Sequence, residues 1–166
     1  MPNSQRRNHF MEKASLILPL ILILSAEVKA QSPITPSPRP KFKIGYVIDG
    51  NIGVGCSLSL NIADRRERRY VFVQGMDEPA YINLDGENLK LELVDYSDVK
   101  NVPEKVGDRS WEIYVAGDVK VRIDRTVTWV CDPKDESCET TYYKAVMTIT
   151  RKTQRAIIKT VGLCGG

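Results

Sequence analysis

From Lys43 onward, apolar and polar residues alternate with the period of two that puts successive side chains on opposite faces of a β-strand. Cys56, Leu58, Leu60 and Ile62 interleave with Ser57, Ser59 and Asn61, so the pattern predicts a strand with the cysteine on its apolar face. A second strand is predicted over 70–74. Strands over 80–84 and 89–94 flank Asp85-Gly86-Glu87-Asn88, and Asp-Gly is a hairpin dipeptide because glycine takes positive φ without steric cost. After a polar stretch over 95–109, a strand over 110–115 meets Ala116-Gly117-Asp118 and returns over 119–131. In that return Val119, Val121, Ile123, Val127, Trp129 and Cys131 share one parity; Arg125 interrupts it and reads as a bend or bulge. Strands over 140–151 and 156–164, joined by a turn at 152–154, complete seven to nine strands with short sequential connections and no helix. The expected fold is all-β, a small antiparallel meander closed as a barrel or folded as a sandwich.

The N-terminal pattern differs. Arg6, Arg7 and Lys13 precede the thirteen-residue apolar run Ala14–Ala26, and Val28-Lys29-Ala30 offers small residues before Gln31, the pattern of a secretory signal peptide over 1–30. Such a run rises about 20 Å as a helix, short of the roughly 30 Å hydrocarbon core, which favours a cleaved signal over an anchor. Met11 offers a second start. Cys56 lies too far beyond the apolar run for a lipoprotein cysteine. Residues 31–42, QSPITPSPRPKF, read as a Pro-rich linker, which leaves 43–166 as a single β-domain, long enough for one core.

Export changes the charge and the chemistry. The whole chain carries 24 Lys and Arg against 21 Asp and Glu; the first thirty residues hold four basic and two acidic ones, which leaves 20 against 19, a net charge of +1. A basic chain poised for nucleic acid is not what remains. The one histidine, His9, lies in the signal, so the exported part has no imidazole for Ser-His-Asp or Cys-His catalysis or a histidine zinc site. A carboxylate-only glycosidase would need two acidic groups facing across a cleft, and no motif points to such a pair. The expectation is a non-enzyme.

Cys56, Cys131, Cys138 and Cys164 are the only cysteines, and four permit three pairings. Cys131 ends one expected strand and Cys138 begins the next, so a bridge across that hairpin neck is sterically easy. Cys56 opens the first core strand and Cys164 closes the last; they become neighbours if the meander closes first strand on last. The expected bridges are therefore Cys56 with Cys164 and Cys131 with Cys138. A four-thiolate zinc site would call for a CxxC pair, which is missing.

Two charged segments are candidate sites. Asp132, Asp135, Glu136 and Glu139 lie in or beside the cysteine loop and offer oxygen ligands for Ca²⁺ or a contact surface for a partner. Lys134 among them and the lack of a D-x-[DN]-x-[DN]-G pattern fit a solvated acidic turn instead. Arg65, Arg66, Arg68 and Arg69 form a candidate anion patch, since guanidinium grips phosphate and carboxylate bidentately. Asp64 and Glu67 are built-in partners that would make it a plain charged turn. Trp111, Tyr114, Trp129, Tyr142 and Tyr143 fall on strands, where packing competes with carbohydrate stacking as their role.

The elements G-V-G-C56, I-N-L-D-G86, V-G-D-R109, Y-V-A-G-D118, C131-D-P-K-D-E-S-C-E139 and G-L-C164-G-G resemble a family of uncharacterised exported bacterial proteins over most of 53–166. Gly165 and Gly166 depart from that family's more cysteine-rich ending. The resemblance implies an exported β-domain and transfers no catalytic residue. In size and all-β character alone the chain also resembles periplasmic lysozyme-inhibitor barrels. The functional expectation is a periplasmic or extracellular binding domain for a protein or polymer partner of the cell envelope, without nucleic acid and without a membrane span once the signal is removed. The alternatives are a carrier with a small apolar ligand in its interior and a Ca²⁺-binding envelope protein acting through 131–139.

Overall fold

Strand periodicity becomes a closed sheet. The computed structural model describes residues 40–49, 55–76, 79–97, 105–132, 134–135 and 137–165. The expected signal peptide and most of the Pro-rich linker lie outside the described residues. Nine strands follow in order: β1 (Ile44–Gly45), β2 (Gly55–Ser59), β3 (Phe72–Gly75), β4 (Ala80–Leu84), β5 (Glu87–Tyr96), β6 (Arg109–Ala116), β7 (Val119–Trp129), β8 (Thr141–Arg151) and β9 (Gln154–Gly165). From β2 to β9 each strand pairs antiparallel with the next, and β9 pairs back onto β2, which closes an eight-stranded up-and-down barrel. The short β1 adds to β4 through Ile44 opposite Leu84. Among the described residues no helix is long and apolar enough to cross a membrane.

Tight turns set the register at one end. Leu84 pairs with Glu87 around Asp85 and Gly86, whose φ values of 57° and 92° fit the type I′ hairpin that Asp-Gly favours. Two-residue turns at 117–118 and 152–153 join β6 to β7 and β8 to β9 at the same end. Phe42, assigned by sequence to the linker, is buried among the core side chains here. Its neighbours fix it: the Lys41 amide donates to Gln154, and the Lys43 amide to Asp85 at 2.8 Å. The packed domain thus takes in residues that the Pro-rich composition assigned to a tether.

Inward positions fill the barrel. Leu58, Phe72, Ile82, Leu91, Ile123, Met147 and Ile149 are all essentially inaccessible, as expected where eight strands enclose a space just wide enough for side chains. These side chains pack with one another as a single hydrophobic cluster inside the sheet. Seam packing is close at Gly162: a Cβ there would come within 2.0 Å of the Ser57 carbonyl oxygen on β2.

Three local expectations change. The alternation through Cys56–Ile62 does not continue as strand: the chain leaves the sheet after Ser59, Leu60 and Ile62 are exposed, and Ile62–Arg66 forms the five-residue helix α1. Asn61 caps it, its side chain accepting from the Asp64 amide at 3.0 Å, and this local bond outcompetes continued pairing. Ser57 and Ser59 are buried instead, Ser59 donating to the Arg69 carbonyl at 2.8 Å. Arg125 marks no bulge; it stays in register opposite Ser110 and Ala145, and the irregularity falls between Val127 and Trp129.

Candidate functional site

Both expected disulfides are present. Cys56 and Cys164 face each other directly across the β2–β9 seam, and Cys131 and Cys138 close the β7–β8 connection. Inside that connection Asp132 accepts from the Lys134 amide at 3.0 Å, and Asp135 accepts from the Ser137 amide and hydroxyl at 3.1 and 2.6 Å. These carboxylates organise their own loop backbone, as turn-forming aspartates do. Glu139 is exposed, and Glu136 lies outside the described residues. Among the described residues no three acidic, cysteine or histidine side chains gather as a metal site.

The four arginines diverge. Arg69 pairs with buried Asp64 and, at 3.0 Å, with Glu67, while its guanidinium lies over the Tyr46 ring. Arg65 lies 4.7 Å above the Tyr142 ring on the outer surface of β8. Arg66 and Arg68 are exposed, Arg68 with a left-handed φ of 56° just past the helix. The structure thus splits the run into a strut, Arg69, and an outward group next to β8.

Two constellations escaped the one-dimensional reading. The first is internal. Arg125, 6% exposed, is ion-paired through Nη1 to Glu112 Oε1 at 2.8 Å, and the Tyr114 hydroxyl donates to Glu112 Oε2 at 2.7 Å and also bonds the Gln74 side chain. Burial first, then the Glu112 charge, pushes the Tyr114 hydroxyl far above the usual tyrosine range. Arg125 Nε and Nη2 have no hydrogen-bond partner among the described residues. The sequence signal was the odd charge at an inward position; it meant a buried polar cluster rather than a bend.

The second lies on the outer face of β7, β8 and β9. Register aligns outward side chains in cross-strand rows: Lys120–Thr150–Arg155, Arg122–Thr148–Ile157, Asp124–Val146–Lys159 and Thr126–Lys144–Val161. These rows present five basic residues and one carboxylate, and that carboxylate is already held by Arg122 at 2.7 Å. Trp129 and Tyr142 continue the face, their rings 5.2 Å apart, with Arg65 over Tyr142. Tyr114 and Tyr143 point inward and are buried, so the five strand aromatics do not form one stacking platform. Exposed acids border the face on β5, where Glu92 lies in the row of Lys120 and Asp95 in the row of Arg122, each one strand beyond β6. The face can attract anions through several ammonium and guanidinium groups at once, and it offers apolar contact beside them. No protein-family model, no curated protein and no solved structure matches this chain.

Proposed function

We propose that this is an exported, non-enzymatic β-domain that binds an anionic protein or polymer partner of the cell envelope through the outer face of β7–β9. One observation carries the reading: a domain whose exported sequence is almost neutral gathers Lys120, Arg122, Lys144, Arg155 and Lys159 on three adjacent strands around one neutralised carboxylate. Such a one-signed surface steers and holds an oppositely charged partner, where a mixed surface of the same net charge would not. The two disulfides and the closed sheet keep the face pre-organised, which lowers the ordering cost of binding. The signal-like N-terminus, the disulfides and the resemblance to exported bacterial β-domains support the compartment.

Binding to immobilised heparin, a polyanion, tests the reading. Retention at low salt, lost by roughly physiological ionic strength or somewhat above and abolished by Lys144→Glu with Lys159→Glu, is expected. Equal retention of the reversed variant, or none by the native protein, would overturn it.

A further inference from the structure

The centre of the cationic face is not flat. Where the chain leaves β2 toward α1, Leu60 stands over the outer surface of the sheet and encloses with it a groove of about 260 Å³. Its apolar wall is Leu60, Val146 and Val161; Lys144 and Lys159 stand beside it, and Asp124 at one side is held by Arg122. Neither lysine has a carboxylate within ion-pairing distance among the described residues. Leu60 is 41% and Val146 38% exposed, so apolar surface is open to solvent between two uncompensated ammonium groups.

We infer that this groove takes a single-chain amphiphile with an anionic head, its tail along Leu60, Val146 and Val161 and its carboxylate or phosphate between Lys144 and Lys159. The complementarity is twofold. A bare anion would leave the apolar wall wet, and a neutral apolar ligand would leave both ammonium groups without a counter-charge. An ammonium is a compact point charge without the planar fork of arginine, so it accepts either head chemistry. The inference rests on reading this face as the binding surface and adds the class of ligand that its centre selects.

The test uses the intact disulfide-bonded protein and n-alkyl carboxylates from butanoate to decanoate, kept below their micellar concentrations. Binding is read from backbone amide shifts of Val146, Lys159 and Val161. Affinity should rise roughly three- to fourfold per added methylene until the groove is full. Decylammonium should not bind, and Lys144→Ala with Lys159→Ala should weaken decanoate about tenfold without changing the melting temperature appreciably. Val146→Asp, on an exposed position, should abolish binding while the protein stays folded. Co-sedimentation with phosphatidylglycerol vesicles, compared with phosphatidylcholine vesicles, separates the sources. Capture that Val146→Asp abolishes assigns the tail in the groove to one acyl chain of a bilayer lipid, and decanoate binding without such capture assigns it to a free amphiphile. Absence of both, chain-length independence, or equal binding by the lysine variant overturns the inference. If heparin retention persists in that case, the anionic-partner reading stands and only the amphiphile fails; if retention is absent too, both fall.

Discussion

Arg125 shows how much a single inward charge asks of its surroundings. Its guanidinium is removed from water, one nitrogen is paired with Glu112, and two others are buried without a hydrogen-bond partner among the described residues. Breaking a buried pair leaves an uncompensated charge, so Arg125→Met should destabilise the fold by about 3 kcal/mol. Adding Glu112→Gln to Arg125→Met should recover part of that loss in denaturant unfolding, because the stranded carboxylate is gone. Tyr114 is coupled to the same carboxylate, and burial raises its pKa in the folded state. The neutral phenol is therefore the form the fold stabilises. That contribution is complete below the unfolded tyrosine value of about 10 and is lost progressively as pH rises beyond it. Unfolding measured from pH 8 to 11 should show the native protein losing stability above pH 10 more steeply than Tyr114→Phe.

At the level of elements, the β2–β9 seam is what turns a meander into a barrel. It is held by its ladder, by the Cys56–Cys164 bridge across 108 residues of sequence, and by the close approach at Gly162. A loop of that length gives about 4.7 kcal/mol by the chain-entropy estimate, against about 2.5 kcal/mol for the seven-residue separation of Cys131 and Cys138. Replacing Cys56 and Cys164 together by serine should therefore lower the melting temperature clearly more than replacing Cys131 and Cys138. Gly162→Ala should cost about 3 kcal/mol, since its methyl would run into the Ser57 carbonyl and adjacent backbone has little freedom to yield. Circular dichroism melts of the three variants rank these effects, and a larger loss from the 131–138 pair would contradict the seam's leading role. Helix α1 is smaller in scale but decides where Leu60 stands, and Asn61 starts it. Asn61→Ala should destabilise by about 1 kcal/mol.

For the molecule as a whole, the distribution of charge matters more than its sum. Heparin retention should track the sign of the β7–β9 face, so Lys120→Glu with Arg155→Glu should also shorten it. The periodicity of two, the Asp85-Gly86 turn, the seven-to-nine-strand count and both disulfide pairings were legible in the sequence, because each depends on near neighbours or on the order of strands in a meander. Leu60 and Ile62 misled, because apolar residues alternate equally well in a strand that continues and in one that a capping asparagine diverts. Phe42 was hidden by its proline-rich neighbours, although a single aromatic ring is enough to anchor a strap on a core. Arg125 was noticed as an exception, but the cluster it joins, Glu112 with Tyr114 and Gln74 beyond it, comes from other strands that only the folded sheet brings together. The sequence by itself determined the strand pattern, the bridges and the nearly neutral composition beyond residue 30. Only the closed sheet decided which side chains look outward together, because pairing Asp124 with Val146 and Lys159, and Thr126 with Lys144 and Val161, joins residues up to 35 positions apart into one cationic, partly apolar face.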